Sequence, residues 1–117
     1  MKHNQSTLAI GIIALLVSFP LAASDNSNKH RAEAIEHAED AQIHGKAGHT
    51  KALLEHAEES LKHAKAAENE LSGADKQHVS ESVKHLNEAI EHAKQDHPDE
   101  GTQHVKEALI HLKQSNN

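Results

Sequence analysis

Twelve histidines fall on one ruler in this 117-residue chain: His30, His37, His44, His49, His56, His63, His78, His85, His92, His97, His104 and His111. The steps between them are 7, 7, 5, 7, 7, 15, 7, 7, 5, 7 and 7, the same in both directions. Seven residues is two helical turns, so each triplet lies along one face of one helix, and the odd steps mark turns. Core packing has no use for twelve imidazoles at fixed spacing. Metal ligation does, because neutral imidazole is the commonest protein ligand for divalent transition ions.

Carboxylates follow the same ruler. Seven histidines have an acid three residues later: Glu33, Asp40, Glu59, Glu81, Glu88, Glu100 and Glu107. Neighbours at that spacing are within side-chain reach on a helix. Such acids serve as auxiliary oxygen ligands or as acceptors that orient an imidazole, or else as a solvated face balancing protonated histidine. No two histidines of one helix are four apart, so a two-histidine site has to form between helices. Nitrogen and oxygen donors without thiolate suit Cu(II), Ni(II) and Zn(II), with Cu(II) first in the usual affinity order.

Composition removes other chemistries. The chain has no Cys, Trp or Tyr, one Met (Met1) and one Phe (Phe19). Lys2, the apolar run Leu8 to Val17, and Pro20-Leu21-Ala22-Ala23 read as a secretory leader over residues 1–23, cut after Ala23 or Ser24. The mature part, residues 24–117, then has no aromatic ring besides histidine and no sulfur, which excludes soft Cu(I) sites, methionine-ligated haem and base stacking. Its 18 acids against 11 Lys and Arg (12 less Lys2) give a net charge of −7 with neutral histidine. That balance argues against nucleic acid and anionic membranes. The expectation is an exported, periplasmic or secreted monomer with no membrane attachment in its mature form.

The elements that position the ruler are four helices, expected over 28–44, 49–71, 75–96 and 99–114. Breaks fall at Gly45 to Gly48, Ser72-Gly73-Ala74-Asp75 and Asp96-His97-Pro98-Asp99, with Asp75 and Asp99 as N-cap candidates. Glu33-Ala-Ile-Glu-His-Ala38 recurs as Glu88-Ala-Ile-Glu-His-Ala93, the mark of a duplicated helical hairpin. The architecture is therefore all-α: an antiparallel up-down four-helix bundle built from two hairpins. In the third helix Val79, Val83, Leu86, Ile90 and Ala93 form a heptad seam, with Val83 and Ile90 at a and Val79, Leu86 and Ala93 at d. Every histidine then falls on c. Position e is polar (Lys51, Glu58, Lys65, Asn87, Lys106) and g is mostly small (Ala34, Ala41, Ala67, Ala89, Ala108), so the buried arc leans toward the c/g side. The core is thin, with 14 large aliphatics in the mature part.

Folding each hairpin at its turn pairs His30 with His63, His37 with His56 and His44 with His49, then His78 with His111, His85 with His104 and His92 with His97. Stacking the hairpins groups these histidines into three layers of four, and the sequence leaves open which neighbouring helices share a seam.

Catalysis has little support. Di-metal oxidases of this architecture use Glu-x-x-His motifs in the core, and only Asp75-x-x-His78 comes near that spacing. There is no cysteine nucleophile and no glycine-rich phosphate loop, and the serines fall at helix edges and caps. The chain reads as a non-enzyme. The alternative is a pH-responsive helical interaction module whose histidines titrate instead of ligating metal; protonating all twelve would carry the mature charge from −7 to about +5.

His44-Gly-Lys-Ala-Gly-His49-Thr50, Leu53-Leu-Glu-His56, Glu59-Ser-Leu-Lys-His63-Ala-Lys-Ala-Ala67 and Lys84-His85-Leu86 together resemble the small metal-binding protein family, exported copper-binding four-helix bundles of ammonia-oxidising bacteria. The resemblance implies a periplasmic location, binding of several divalent ions with copper preferred, and a role in metal buffering, sequestration or tolerance. It carries over to His37 through His111 as ligand candidates. The second hairpin turn departs from the pattern, with no glycine between Ala93 and Pro98, which puts the presentation of His97 in question.

Overall fold

Alanine, glutamate, lysine and leucine are strong helix formers, and runs of them between Gly-, Ser- and Pro-containing breaks give four α-helices. These are α1 (Gln5–Lys46), α2 (Thr50–Glu70), α3 (Gly73–Lys94) and α4 (Pro98–Gln114). The computed structural model describes the backbone of residues 5–115 and the side chains of residues 26–115. The leader expected over residues 1–23 lies outside the residues whose side chains are described. Among the described residues there is no strand, and no helix is long and apolar enough to cross a membrane.

Several boundaries differ from the sequence reading. α1 runs back to Gln5 instead of beginning near residue 28, and runs on through Gly45 to Lys46. Gly45 is buried, and a Cβ there would meet Thr102 Oγ1 at 1.9 Å, so this glycine lets α1 approach α4 closely. The break comes instead at Gly48, in the left-handed region at φ 79°. The N-caps are not Asp75 and Asp99. Ser72 and His97 hold those places without a side-chain capping bond, and the two acids lie in the first turns, where they complement the helix dipole.

The helices form a closed ring in which α1 packs most closely on α2 and α3 on α4, with α2 against α3 and α1 against α4 completing it. Within it the buried arc sits further round than an a/d seam. Ala38, Ala57, Ala64, Val79, Leu86, Val105 and Leu112 at d are fully buried, and so are Ala34, Ala41, Leu53, Ser60, Ala67, Ser82, Ala89 and Ala108 at g. At a, Ile90 and Leu109 are buried in the core, whereas Ile35, Leu54, Leu61 and Val83 are only half-buried and pack against it. Small g residues explain the shift: helices come closest where side chains are shortest. Serine is one of those short residues, contrary to the expectation that serines stay at edges. Ser60 Oγ donates to Ala34 O (2.7 Å) across α2 and α1, and Ser82 Oγ to Val79 O (2.6 Å).

At 3.6 residues per turn, c lies about 40° beyond g and a about 40° beyond d. Each helix thus carries histidine on one shoulder of its buried arc and aliphatic side chains on the other. The histidine shoulders meet in the α1/α2 and α3/α4 seams. The other shoulders meet in the α2/α3 and α4/α1 seams, where Ser80 bonds Glu68 and Lys113 pairs with Glu39 at 3.3 Å.

Candidate metal centres

All six predicted hairpin pairs form. Ring centroids are 5.7 Å apart for His30–His63, His37–His56 and His44–His49, and 6.0, 5.6 and 6.1 Å for His78–His111, His85–His104 and His92–His97. The falling numbers on one helix against rising numbers on the other show the antiparallel register directly. Ten of the twelve rings are half-buried; His49 and His97, at the turns, are exposed. The layers of four do not form as single clusters. Among the described residues every histidine ring contact stays within one hairpin, and the ring of helices puts the two histidine seams on opposite sides of the bundle. Each layer is two separate pairs.

The second turn presents His97 much as the first presents His49. His78 follows His30 by 48 positions, and the same offset carries all six histidines of the first hairpin onto the second and Gly48 onto Asp96. Asp96 takes the left-handed conformation (φ 62°) that Gly48 takes, as aspartate does more readily than most residues. The closing bonds match: His49 N to His44 O at 2.9 Å, His97 N to His92 O at 2.8 Å. Pro98 opens α4, where no intrahelical N–H bond is lost.

The donors turn inward. Nδ1–Nδ1 distances are 3.4 Å for His30–His63, 3.5 Å for His37–His56 and 3.4 Å for His85–His104. A carboxylate closes on each of these pairs. Glu33 Oε1 lies 3.5 Å from His63 Nδ1, Asp40 Oδ2 is 4.0 Å from His56 Nδ1, and Glu88 Oε1 is 3.3 Å from His85 Nδ1 and 3.4 Å from His104 Nδ1. The His85–His104–Glu88 donors therefore form a near-equilateral triangle. An ion held about 2.0–2.1 Å from each donor at tetrahedral angles needs them about 3.3–3.4 Å apart. The triangle meets that spacing as it stands, and the two rings are 22% and 27% exposed and Glu88 50% exposed, within reach of solvent.

Five groups of three donors lie within 4.8 Å of one another: His30–Glu33–His63, His37–Asp40–His56, His37–Glu59–His63, Glu81–His85–His111 and His85–Glu88–His104. Five of the seven ladder acids are therefore placed beside two histidines; Glu100 and Glu107 join no such group among the described residues. His44, His49, His78, His92 and His97 make ring contacts without a carboxylate completing the set. Nδ1 of His92 and of His111 are buried with no hydrogen-bond partner, and such orphaned acceptors or donors are rare unless water or an ion meets them.

Sequence reasoning missed two features. One is a set of diagonal contacts: His37–His63, His44–His56, His85–His111 and His92–His104, at 5.8, 5.4, 5.8 and 5.2 Å with nearly parallel rings. A stagger of half a heptad between antiparallel partners produces them, and the 7-residue spacing on both helices was its signal. The other is Arg31, a charge at a d position, buried and donating from Nη1 to Ser115 O (2.7 Å) and from Nη2 to Asn28 Oδ1 (3.0 Å). It fastens the end of α4 to α1 and has no place in the donor sets.

A family model described as "Small metal-binding protein" matches residues 1–115. No curated protein sequence matches the chain.

Proposed function

The chain belongs to the small metal-binding protein family, and from that premise we propose that it is an exported carrier that reversibly binds several Cu(II) ions, and Ni(II) or Zn(II) more weakly, for buffering, sequestration or tolerance. The observation that carries this reading is the His85–Glu88–His104 triangle, whose donor spacing already suits a divalent ion held between two helices. Its 48-residue counterpart, His37–Asp40–His56, repeats the donor types in the other seam.

Cu(II) ranks first because the donors are imidazole and carboxylate. Its tetragonal preference asks for about 2.8 Å between adjacent donors, a contraction within reach of half-exposed side chains. In this reading the protein holds its cargo and returns it, as a carrier and not a catalyst. Export through a leader cleaved near residue 23 places the mature monomer in the periplasm or outside the cell.

The test is isothermal titration of the mature chain with Cu(II), Ni(II) and Zn(II) at neutral pH, followed by dialysis and metal analysis. More than one ion retained per chain, with Cu(II) tightest, is the expected outcome. One ion or fewer refutes the multi-site reading, and no binding leaves the histidines to proton uptake.

A further inference from the structure

The five donor groups are not independent, and their overlap has consequences for how metal is held. His37 belongs both to His37–Asp40–His56 and to His37–Glu59–His63; His63 belongs to the latter and to His30–Glu33–His63; His85 is shared by Glu81–His85–His111 and His85–Glu88–His104. The ring contacts show the same continuity. One seam runs His30, His63, His37, His56, His44, His49 with centroids 5.7, 5.8, 5.7, 5.4 and 5.7 Å apart. The other runs His78, His111, His85, His104, His92, His97 at 6.0, 5.8, 5.6, 5.2 and 6.1 Å. Lateral and diagonal neighbours are thus nearly equidistant. The Nδ1 atoms face lateral partners, yet His37, His63 and His85 each also belong to a diagonal donor group.

We propose that each seam is a continuous ladder of overlapping sites and not three fixed pairs, so that a divalent ion exchanges one imidazole for the next and moves along the seam while keeping the other. This rests on the metal-binding reading above. A shared histidine can complete only one of its two sets at a time, so a diagonal ion and its lateral neighbours exclude one another. At low loading a seam offers lateral and diagonal sets alike. At high loading the lateral pairs win, because three lateral pairs use all six histidines whereas two diagonal pairs strand the end ones. Exposed His49 and His97 stand at the turn end of each ladder, where an ion can be handed to or from solvent.

Two double variants separate the possibilities, each removing one histidine from α1 and one from α2. His30→Gln/His56→Gln destroys two lateral pairs and leaves His37 beside His63, with Glu59 to complete the set. His37→Gln/His63→Gln destroys the same two lateral pairs and leaves His30 and His56, which share neither a ring contact nor a donor group. The measurement is the number of Zn(II) or Cu(II) ions retained per chain after dialysis, with circular dichroism recorded on each variant. The proposal expects His30→Gln/His56→Gln to retain one ion more than His37→Gln/His63→Gln, and expects Glu59→Gln added to the former to weaken that extra ion. Equal losses in the two variants, with wild type binding metal, overturn the ladder alone. A wild type that binds no ion overturns the metal reading and the ladder together. Should a variant fail to fold, the same comparison is made in the other seam, where His78→Gln/His104→Gln leaves His85 beside His111 with Glu81, and His85→Gln/His111→Gln leaves His78 and His104, which share neither a ring contact nor a donor group.

Discussion

The two shoulders of each helix differ in what they carry but not in how far they lie from the buried arc. Histidines at c and aliphatic residues at a are mostly half-buried, and each set flanks the d/g core. The aliphatic shoulder is placed to hold the bundle shut with non-directional burial. The histidine shoulder is placed to present two nitrogens from two helices to one ion. Separating the two lets metal come and go without dismantling the apolar contacts, provided the core between them carries the fold. Substitutions, metal and pH can each break or sharpen that division.

The largest effect is expected in the core itself. Leu53 is fully buried at g, and Leu53→Ala should cost about 2–5 kcal/mol in urea or thermal unfolding of the metal-free chain. A single c histidine changed to glutamine should cost under about 1 kcal/mol in the same experiment, since a half-exposed imidazole contributes little burial. Equal costs would erase the distinction between scaffold and ligand edge.

Metal comes next. Ligands that bridge helices stabilise the folded state by RT ln(1 + [L]/Kd), roughly 2.7 kcal/mol for each site at one hundred times Kd. Cu(II) should therefore raise the melting midpoint of wild type. An unchanged midpoint would mean that ions sit on single helices and do not tie the seams. Protons compete with metal for neutral imidazole, so affinity falls as pH drops from 7 toward 5. Each imidazole that must lose a proton to bind contributes up to about tenfold per pH unit, so a two-histidine site falls by up to about a hundredfold per unit. A titration at stepped pH values reads this slope, and a one-histidine slope would break the inter-helix pairing.

Gly45→Ala probes the close approach of α1 to α4, on the shoulder without histidine. The added Cβ meets Thr102, so the expected cost is about 1–3 kcal/mol, partly recovered by adding Thr102→Ala. Metal stoichiometry should not change. The smallest effect belongs to the second turn. Asp96→Gly relieves a left-handed residue and should stabilise the metal-free chain by roughly 0.5–1 kcal/mol, leaving the His92–His97 pair in place.

Much of this was legible in the chain. Seven-residue spacing put every histidine on one helix face, and the short steps marked the hairpins and suggested six lateral pairs while leaving open which neighbouring helices share a seam. The depth of the faces was harder to read. The small residues at g already tilted the expected arc toward the c/g side, but the full burial of Ser60 and Ser82 and the half-burial of Leu54, Leu61 and Val83 were not readable, because closeness of approach is set by residue size and Ala and Ser carry little hydrophobic signal. Arg31 was illegible for the same reason: a charge at d argues against burial until the carbonyl of Ser115 across the bundle is seen to receive it. The diagonal histidine contacts required the stagger between partner helices, which no single-helix pattern states. The splitting of the layers of four followed from ring order, since shoulders that meet within hairpins cannot also meet across them.

The most direct test of the central claim is to replace all six histidines of one seam, His30, His37, His44, His49, His56 and His63, with glutamine, and to count the Cu(II) ions bound beside wild type. Two independent inter-helix seams predict a folded variant that keeps about half of the wild-type ions, at unchanged affinity in the remaining seam. Loss of all binding would mean that the two hairpins share their sites, and full retention would mean that the histidine seams are not where metal is held.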